Sequence, residues 1–193
     1  MLGAEVLSSS KDTVELSVTS VELTERESPA IVLVQGLAKT DRDERAVEAC
    51  TELGISAVIP WAADRSVSKW EGPKVDKGVA RWAAIVREAT KQSIRPFLPE
   101  VGPHLKSSQL GTALQGMNVL VLDPTGEESL SEVKLDGRDI ALVVGPEGGI
   151  SEHELTRFKE EGAHIVKMGT NILRTSTAGP AALAILNAKL GRC

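Results

Sequence analysis

Apolar and polar positions divide this chain into two regimes. Over residues 3–23 they alternate, and "TVELSVTSVEL" (Thr13 to Leu23) is the clearest stretch of that period-two pattern. It predicts exposed antiparallel strands, too few to close a barrel or bury a core unaided. The polar, proline-bearing "TERESPA" (Thr24 to Ala30) then reads as a linker. From Ile31 onward short unbroken apolar runs take over: "IVLVQG", "ISAVIPW", "MNVLVLD", "DIALVVG" and "HIVKMG". Runs that are apolar on both faces suit strands of a parallel sheet covered by helices.

Between those runs the spacing turns helical. Ala46, Val47, Ala49, Cys50 and Leu53 share one side of a helix predicted over residues 42–53, with Gly54 as its stop. A second helix is predicted over residues 76–92, its stripe being Val79, Trp82, Ala83, Val86 and Ala89; a shorter one lies near residues 105–115. Ser151 followed by Glu154 forms a capping box, opening a helix that runs through Leu155 and Phe158 to Gly162, a natural residue just past a helix end. The last helix is expected to begin near Thr177. Pro180 would then fall in its first turn, where the missing N–H costs no hydrogen bond. Residues 1–28 therefore read as the remnant of a β domain, and residues 29–193 as an α/β domain.

Composition narrows the chemistry. The 193 residues are 41% hydrophobic and 25% charged, ordinary for a soluble protein with a proper core. Aromatic residues reach only 3%, with no Tyr, which disfavours an extended stacking platform for single-stranded nucleic acid. The net charge of -5 leaves nucleic-acid contact to a local basic patch. Cys50 and Cys193 form no disulfide framework, and three dispersed histidines give no zinc spacing, so no metal is expected. With no signal peptide and no run of about 18 apolar residues, the reading is a reduced cytoplasmic location and no membrane.

Phosphate-binding and dinucleotide fingerprints are absent, as is a nucleophile elbow. What remains is three loops, each after a predicted strand: "LDPTG" (Leu122 to Gly126), "GPEGG" (Gly145 to Gly149) and "MGTNILRTSTAGP" (Met168 to Pro180). Ligand sites of open α/β sheets lie beyond the carboxyl ends of the strands, so the three make a plausible pocket. The third sets Ile172, Leu173, Arg174 and the hydroxyls of Thr175, Ser176 and Thr177 directly before a helix. Backbone N–H groups and hydroxyls in that position suit a carboxylate, a carbonyl or a purine edge.

"LVVGPEGGISEHEL" followed by "KMGTNILRTSTAGPAAL" resembles the C-terminal signature of the RsmE family, SPOUT-superfamily methyltransferases acting on N3 of a uridine in 16S ribosomal RNA. "LAKTDRDERAVEACTELGISAVIPWAADRSV" and "RWAAIVREATKQSIRPFLPEV" resemble its upstream segments, so the likeness covers roughly residues 31–190. The resemblance implies a SPOUT-type parallel-sheet domain with a C-terminal deep trefoil knot, preceded by a PUA-like β segment of which only the latter portion is present. It implies S-adenosylmethionine as cofactor, a homodimer, and 16S ribosomal RNA or the small ribosomal subunit as partner. Matched by motif, the cofactor positions are Leu122 and Pro124; Gly145, Pro146, Glu147, Gly148 and Gly149; Met168 and Gly169; Ile172 and Leu173; and Thr175, Ser176, Thr177 and Ala178. A sulfonium cation without phosphate tolerates Glu147 in the glycine loop. Arg174 and then Arg95 are the candidates for holding the developing uracil oxyanion, with Lys39, Arg42 and Arg65 on RNA phosphates. Two other readings remain: a SPOUT enzyme with a different RNA target such as a ribose 2′-hydroxyl, and a non-catalytic RNA-binding or assembly module.

Overall fold

The computed structural model describes residues 2–192. The alternating segment folds as an antiparallel hairpin of β1 (Leu2–Ser9) and β2 (Val14–Val21). Its apolar side chains, among them Val6, Leu16 and Val18, remain exposed, so the hairpin contributes nothing to the core.

The apolar runs supply the strands of one sheet. These are β3 (Ile31–Gly36), β4 (Ala57–Ala62), β7 (Asn118–Leu122), β9 (Ile140–Val144) and β10 (His164–Lys167). Three two-residue strands complete it: β5 (Glu100–Val101), β6 (Leu105–Lys106) and β8 (Glu128–Ser129). The order is β5-β4-β3-β9-β7-β10-β8, with β6 also on β4, and every pair in this sheet is parallel. Helices α1 (Arg42–Glu52), α2 (Pro73–Gln92), α3 (Ser107–Ala113), α4 (Glu152–Glu160) and α5 (Thr175–Lys189) cover both faces.

Alternation along each strand explains the two cores. Ile140, Leu142 and Val144 of β9 point to one face, where they join Val47 and Cys50 of α1, Trp82 and Val86 of α2, and Ala182, Leu183 and Leu186 of α5. Ala141 and Val143 point to the other, with Leu110 of α3, Phe158 of α4 and Trp61 of β4. Burial in this packing raises the Cys50 thiol pKa well above the usual range, so it behaves as a small apolar side chain. Cys193 lies outside the described residues.

Helix ends follow the expected punctuation with one exception. Gly54 and Gly162 adopt left-handed backbone after α1 and α4. After α2 the same position holds Ile94, at φ 54 and 71% exposed. Its N–H donates to the Lys91 carbonyl and that of Arg95 to the Thr90 carbonyl, the paired bonds of a Schellman turn. A β-branched residue is strained there. Ile94→Gly is therefore expected to stabilise the protein by about 1 kcal/mol in denaturant unfolding, since relief of left-handed strain outweighs the glycine's extra chain entropy. A midpoint unchanged or lowered would contradict this.

The last helix departs from expectation. It starts at Thr175, so Pro180 lies inside it rather than in its first turn. Arg174 is extended at φ -67, ψ 150, and its carbonyl already accepts from the N–H groups of Thr177 and Ala178. The missing N–H of Pro180 thus removes the bond that the Ser176 carbonyl would otherwise accept.

Candidate cofactor site

The carboxyl ends of β7, β9 and β10 open into one cavity of about 900 Å³, lined by all three glycine-bearing loops. Each loop is held by contacts that the fold creates. Asp123, at the end of β7, is buried and accepts from both the N–H (2.9 Å) and the hydroxyl (2.6 Å) of Thr125, an Asx-type turn. The Asp123 N–H in turn donates to the Val166 carbonyl, and Leu130 N–H to that of Lys167. The loop therefore hugs β10, which sits between β7 and β8.

The second loop follows β9. A Cβ on Gly36 would lie 2.7 Å from the Pro146 nitrogen, so only a glycine at the end of β3 lets this loop pass so close. On its other side, a Cβ on Gly148 would meet the Arg65 carbonyl oxygen at 2.8 Å. Glu147 has an assigned partner: its Oε1 accepts the Lys39 N–H at 2.9 Å, tying the glycine loop to the turn after β3.

The third loop ends at the start of α5. The Thr175 hydroxyl donates to the Gly145 carbonyl at 2.8 Å and accepts from Gln35 Nε2 at 2.9 Å. Three elements far apart in sequence are thereby locked at one point. Gln35 is fully buried and its Oε1 has no partner. Ile172 is 81% exposed, and the side chain of Arg174, also exposed, makes no hydrogen bond or ion pair among the described residues. A free guanidinium thus stands at the mouth of the cavity.

The cavity gathers Leu122, Pro124, Gly145, Pro146, Glu147, Gly148, Gly149, Met168, Gly169, Ile172, Leu173, Arg174, Thr175 and Ala178. Ser176 and Thr177 fall outside its lining, because the helix has already begun and turns them away. Arg42 lines it as well, at the first position of α1, rather than standing out on the surface. Lys39 is exposed beside the Glu147 contact. Arg65 donates Nη1 to the Ile150 carbonyl at 3.3 Å, bracing the glycine loop from outside.

Arg95 is not brought here. It lies at the opposite edge of the sheet, near the start of β4, where its Nη1 donates to the Thr51 carbonyl at 2.8 Å. Burial lowers its pKa, and its guanidinium adds a hydrogen bond to a carbonyl in the last turn of α1. Among residues that sequence reasoning missed, Asp123 was legible inside "LDPTG", whereas Gln35 carried no local signal. The described residues hold no group of three or more His, Cys, Asp or Glu placed to bind a metal ion, and no helix long and apolar enough to cross a membrane.

Comparison with known proteins matches this geometry to one family. Residues 25–187 match the model of the RNA methyltransferase domain. The chain is 34% identical over 195 residues to the ribosomal RNA small subunit methyltransferase E of Bacillus subtilis, covering 95% of this chain and 75% of that protein. The chain belongs to the RsmE family. To the RsmE protein of Mycobacterium bovis it is 39% identical over 170 residues, which cover 85% of this chain. The match spans 65% of that relative's length, just under two thirds. Among solved structures, RsmE from Neisseria gonorrhoeae bound to S-adenosyl methionine superposes with a TM-score of 0.85 at 30% identity, covering 96% of this chain and 77% of that one. The parallel α/β sheet is thus the RsmE fold, and the three-loop cavity lies at its carboxyl edge.

Proposed function

We propose that this chain is an S-adenosylmethionine-dependent methyltransferase acting in the cytoplasm on N3 of a uridine in 16S ribosomal RNA of the small subunit. The observation that carries this reading is the cavity enclosed by the three loops, whose chemistry suits that cofactor. It offers glycine backbone for close approach and apolar walls from Leu122, Ile172 and Leu173 for an adenosine. Its carboxylates, Asp123 and Glu147, favour a cationic sulfonium and disfavour a phosphate.

S-adenosylmethionine would supply an electrophilic methyl group. The chain's own task is to orient and to manage one proton. Main-chain groups of Met168, Ile172 and Leu173 would read the adenine edge. The Gln35–Thr175–Gly145 chain of hydrogen bonds would hold the second and third loops at a fixed separation. Uridine N3 carries a proton at neutral pH, so charge develops on the uracil oxygens as it leaves. The unpaired guanidinium of Arg174 is free to meet that charge.

The proposal extends to architecture. Residues 123–127 link β7 to β8 across the end of β10, which pairs with both, and this supports a trefoil knot made by the chain beyond β10. Residues 1–28 are assigned to a PUA-like β domain, supported by the exposed apolar side chains of the hairpin. A homodimer would cover the exposed Ile172 and bring a second chain to the mouth of the cavity.

Calorimetry with S-adenosylmethionine, and mass spectrometry locating the methyl group on ribosomal RNA from cells with and without the protein, test the reading. Absence of cofactor binding, or a mark on a ribose in place of a base, would overturn it. Arg174→Ala is expected to lower kcat by about a hundredfold, the usual loss for one oxyanion donor, with cofactor affinity little changed. Unchanged turnover would remove Arg174 from the chemistry.

A further inference from the structure

A second cavity, of about 490 Å³, opens beside the first at the carboxyl end of β4. It is lined by the loop after β4, the turn before β6 and the start of α4. Its contents do not look like packing. Ser66 is 6% exposed, and its hydroxyl has no hydrogen-bond partner. His104 Nε2 is likewise buried and unpaired. Buried polar atoms left without partners are rare and mark places where a ligand completes the bonding. Burial first, and Lys106 second, lower the His104 pKa, keeping the imidazole neutral, with one ring nitrogen able to accept and the other to donate.

An aromatic surface and positive charge accompany these atoms. The ring of Trp70 packs over Gly78, where a Cβ would come within 2.6 Å of it, and meets Trp82 edge-on at 5.3 Å between centroids. Held in this way, Trp70 lies 5.7 Å from the His104 ring, and both line the cavity. Lys69 and Lys106 also line it, exposed and without an ion pair among the described residues. Of the acids lining it, Glu154 takes three donors and Asp64 the Ser151 hydroxyl, while Glu71 is exposed and has no side-chain partner among the described residues, leaving two lysines to one free carboxylate. Unpaired hydrogen-bonding atoms, ring faces and free ammonium groups together fit a nucleotide.

Arg65 stands between the two cavities. It touches Gly148 and Ile150 of the cofactor loop, while its neighbours Asp64 and Ser66 line the second cavity. We propose that this cavity is a subsite for the RNA strand, holding one unstacked nucleotide that flanks the target uridine. Its base lies against Trp70 and His104 and bonds to Ser66 Oγ and His104 Nε2, and its phosphates rest on Lys69 and Lys106. This assignment rests on the proposed RNA substrate.

The test uses the whole chain with a fluorescein-labelled single-stranded RNA carrying 4-thiouridine, read by anisotropy and by photo-crosslink mapping. The double variant Lys69→Glu/Lys106→Glu changes exposed side chains and leaves the core intact. It is expected to bind this RNA at least tenfold more weakly. The slope of log K against log salt should fall by about 1.4, two phosphate contacts at the single-strand value. Calorimetric affinity for S-adenosylmethionine should not move, and wild-type crosslinks should fall within residues 66–70 or 104–106. Unchanged affinity and slope, or crosslinks confined to other segments, would overturn the subsite while leaving the methyltransferase reading intact. Uridine monophosphate competing as well as the oligonucleotide would overturn the assignment to a strand. A wild-type chain that binds cofactor but no RNA would overturn the substrate reading and the subsite with it.

Discussion

Gly126→Ala is expected to lower stability by about 3 kcal/mol and to abolish measurable cofactor binding, the steric cost of overpacking a site whose neighbours cannot move aside. A Cβ on Gly126 would lie 2.8 Å from both the Ile165 oxygen and the Val166 carbonyl carbon, and 2.9 Å from Val166 Cα. All three are backbone atoms of β10, which is hydrogen-bonded to a strand on either side. No side-chain rotation relieves the contact. The loop from Asp123 must lift, and it takes with it the Leu122 and Pro124 wall of the cavity. For a chain of this size the loss corresponds to a fall in Tm of about 6–12 °C. Gly126 has no left-handed backbone, so the effect is one of space alone. Thermal unfolding and calorimetry with S-adenosylmethionine measure it; a variant with wild-type Tm and affinity would show that the loop is not clamped.

Glu154→Ala is expected to cost about 3 kcal/mol, the penalty for leaving three partly buried donors without their charged acceptor. The side chain is 1% exposed. Its Oε1 accepts the Asp64 N–H at 2.9 Å and the Ser107 hydroxyl at 2.5 Å, and its Oε2 accepts the Ser151 N–H at 2.9 Å. One carboxylate thus joins the loop after β4, the start of α3 and the start of α4. Glu154→Gln keeps one acceptor but turns an amide donor toward the others, so about half the loss should return. Denaturant midpoints rank the three proteins. A Gln variant as unstable as the Ala variant would mean that packing volume, not hydrogen bonding, accounts for the loss.

The elements set by local pattern were legible in the sequence. The run "IVLVQG" is β3 to the residue, and the capping box at Ser151 and Glu154 forms both of its bonds. The glycine stops after α1 and α4 follow from the same local chemistry. The two-residue strands β5, β6 and β8 were not legible, because pairing two residues at a sheet edge needs no periodicity. The start of α5 was misplaced because Arg174, not the hydroxyl run, ends the extended segment. The capping box also disguised Glu154, whose other two partners are 47 and 90 residues away. Gln35 could not be found at all, since its partner Thr175 is 140 residues distant. At the site, position after a strand marked the three loops and the motif pair singled out two of them, but no spacing rule could tell that Arg95 belongs to the other edge of the sheet.

The position of β10 between β7 and β8 also has a temporal meaning. Synthesis delivers β7 and β8 first, and about 35 residues separate β8 from the strand that belongs between them. Until His164–Lys167 has been made, the slot has no occupant and the cavity lacks two of its walls. The loop before α5 and α5 itself come after β10, and they bring the third loop of the cavity and Ala182, Leu183 and Leu186 of the core. A nascent chain therefore cannot hold a ligand until β10 and α5 have been made, and the same two elements complete the core, so cavity and core close together.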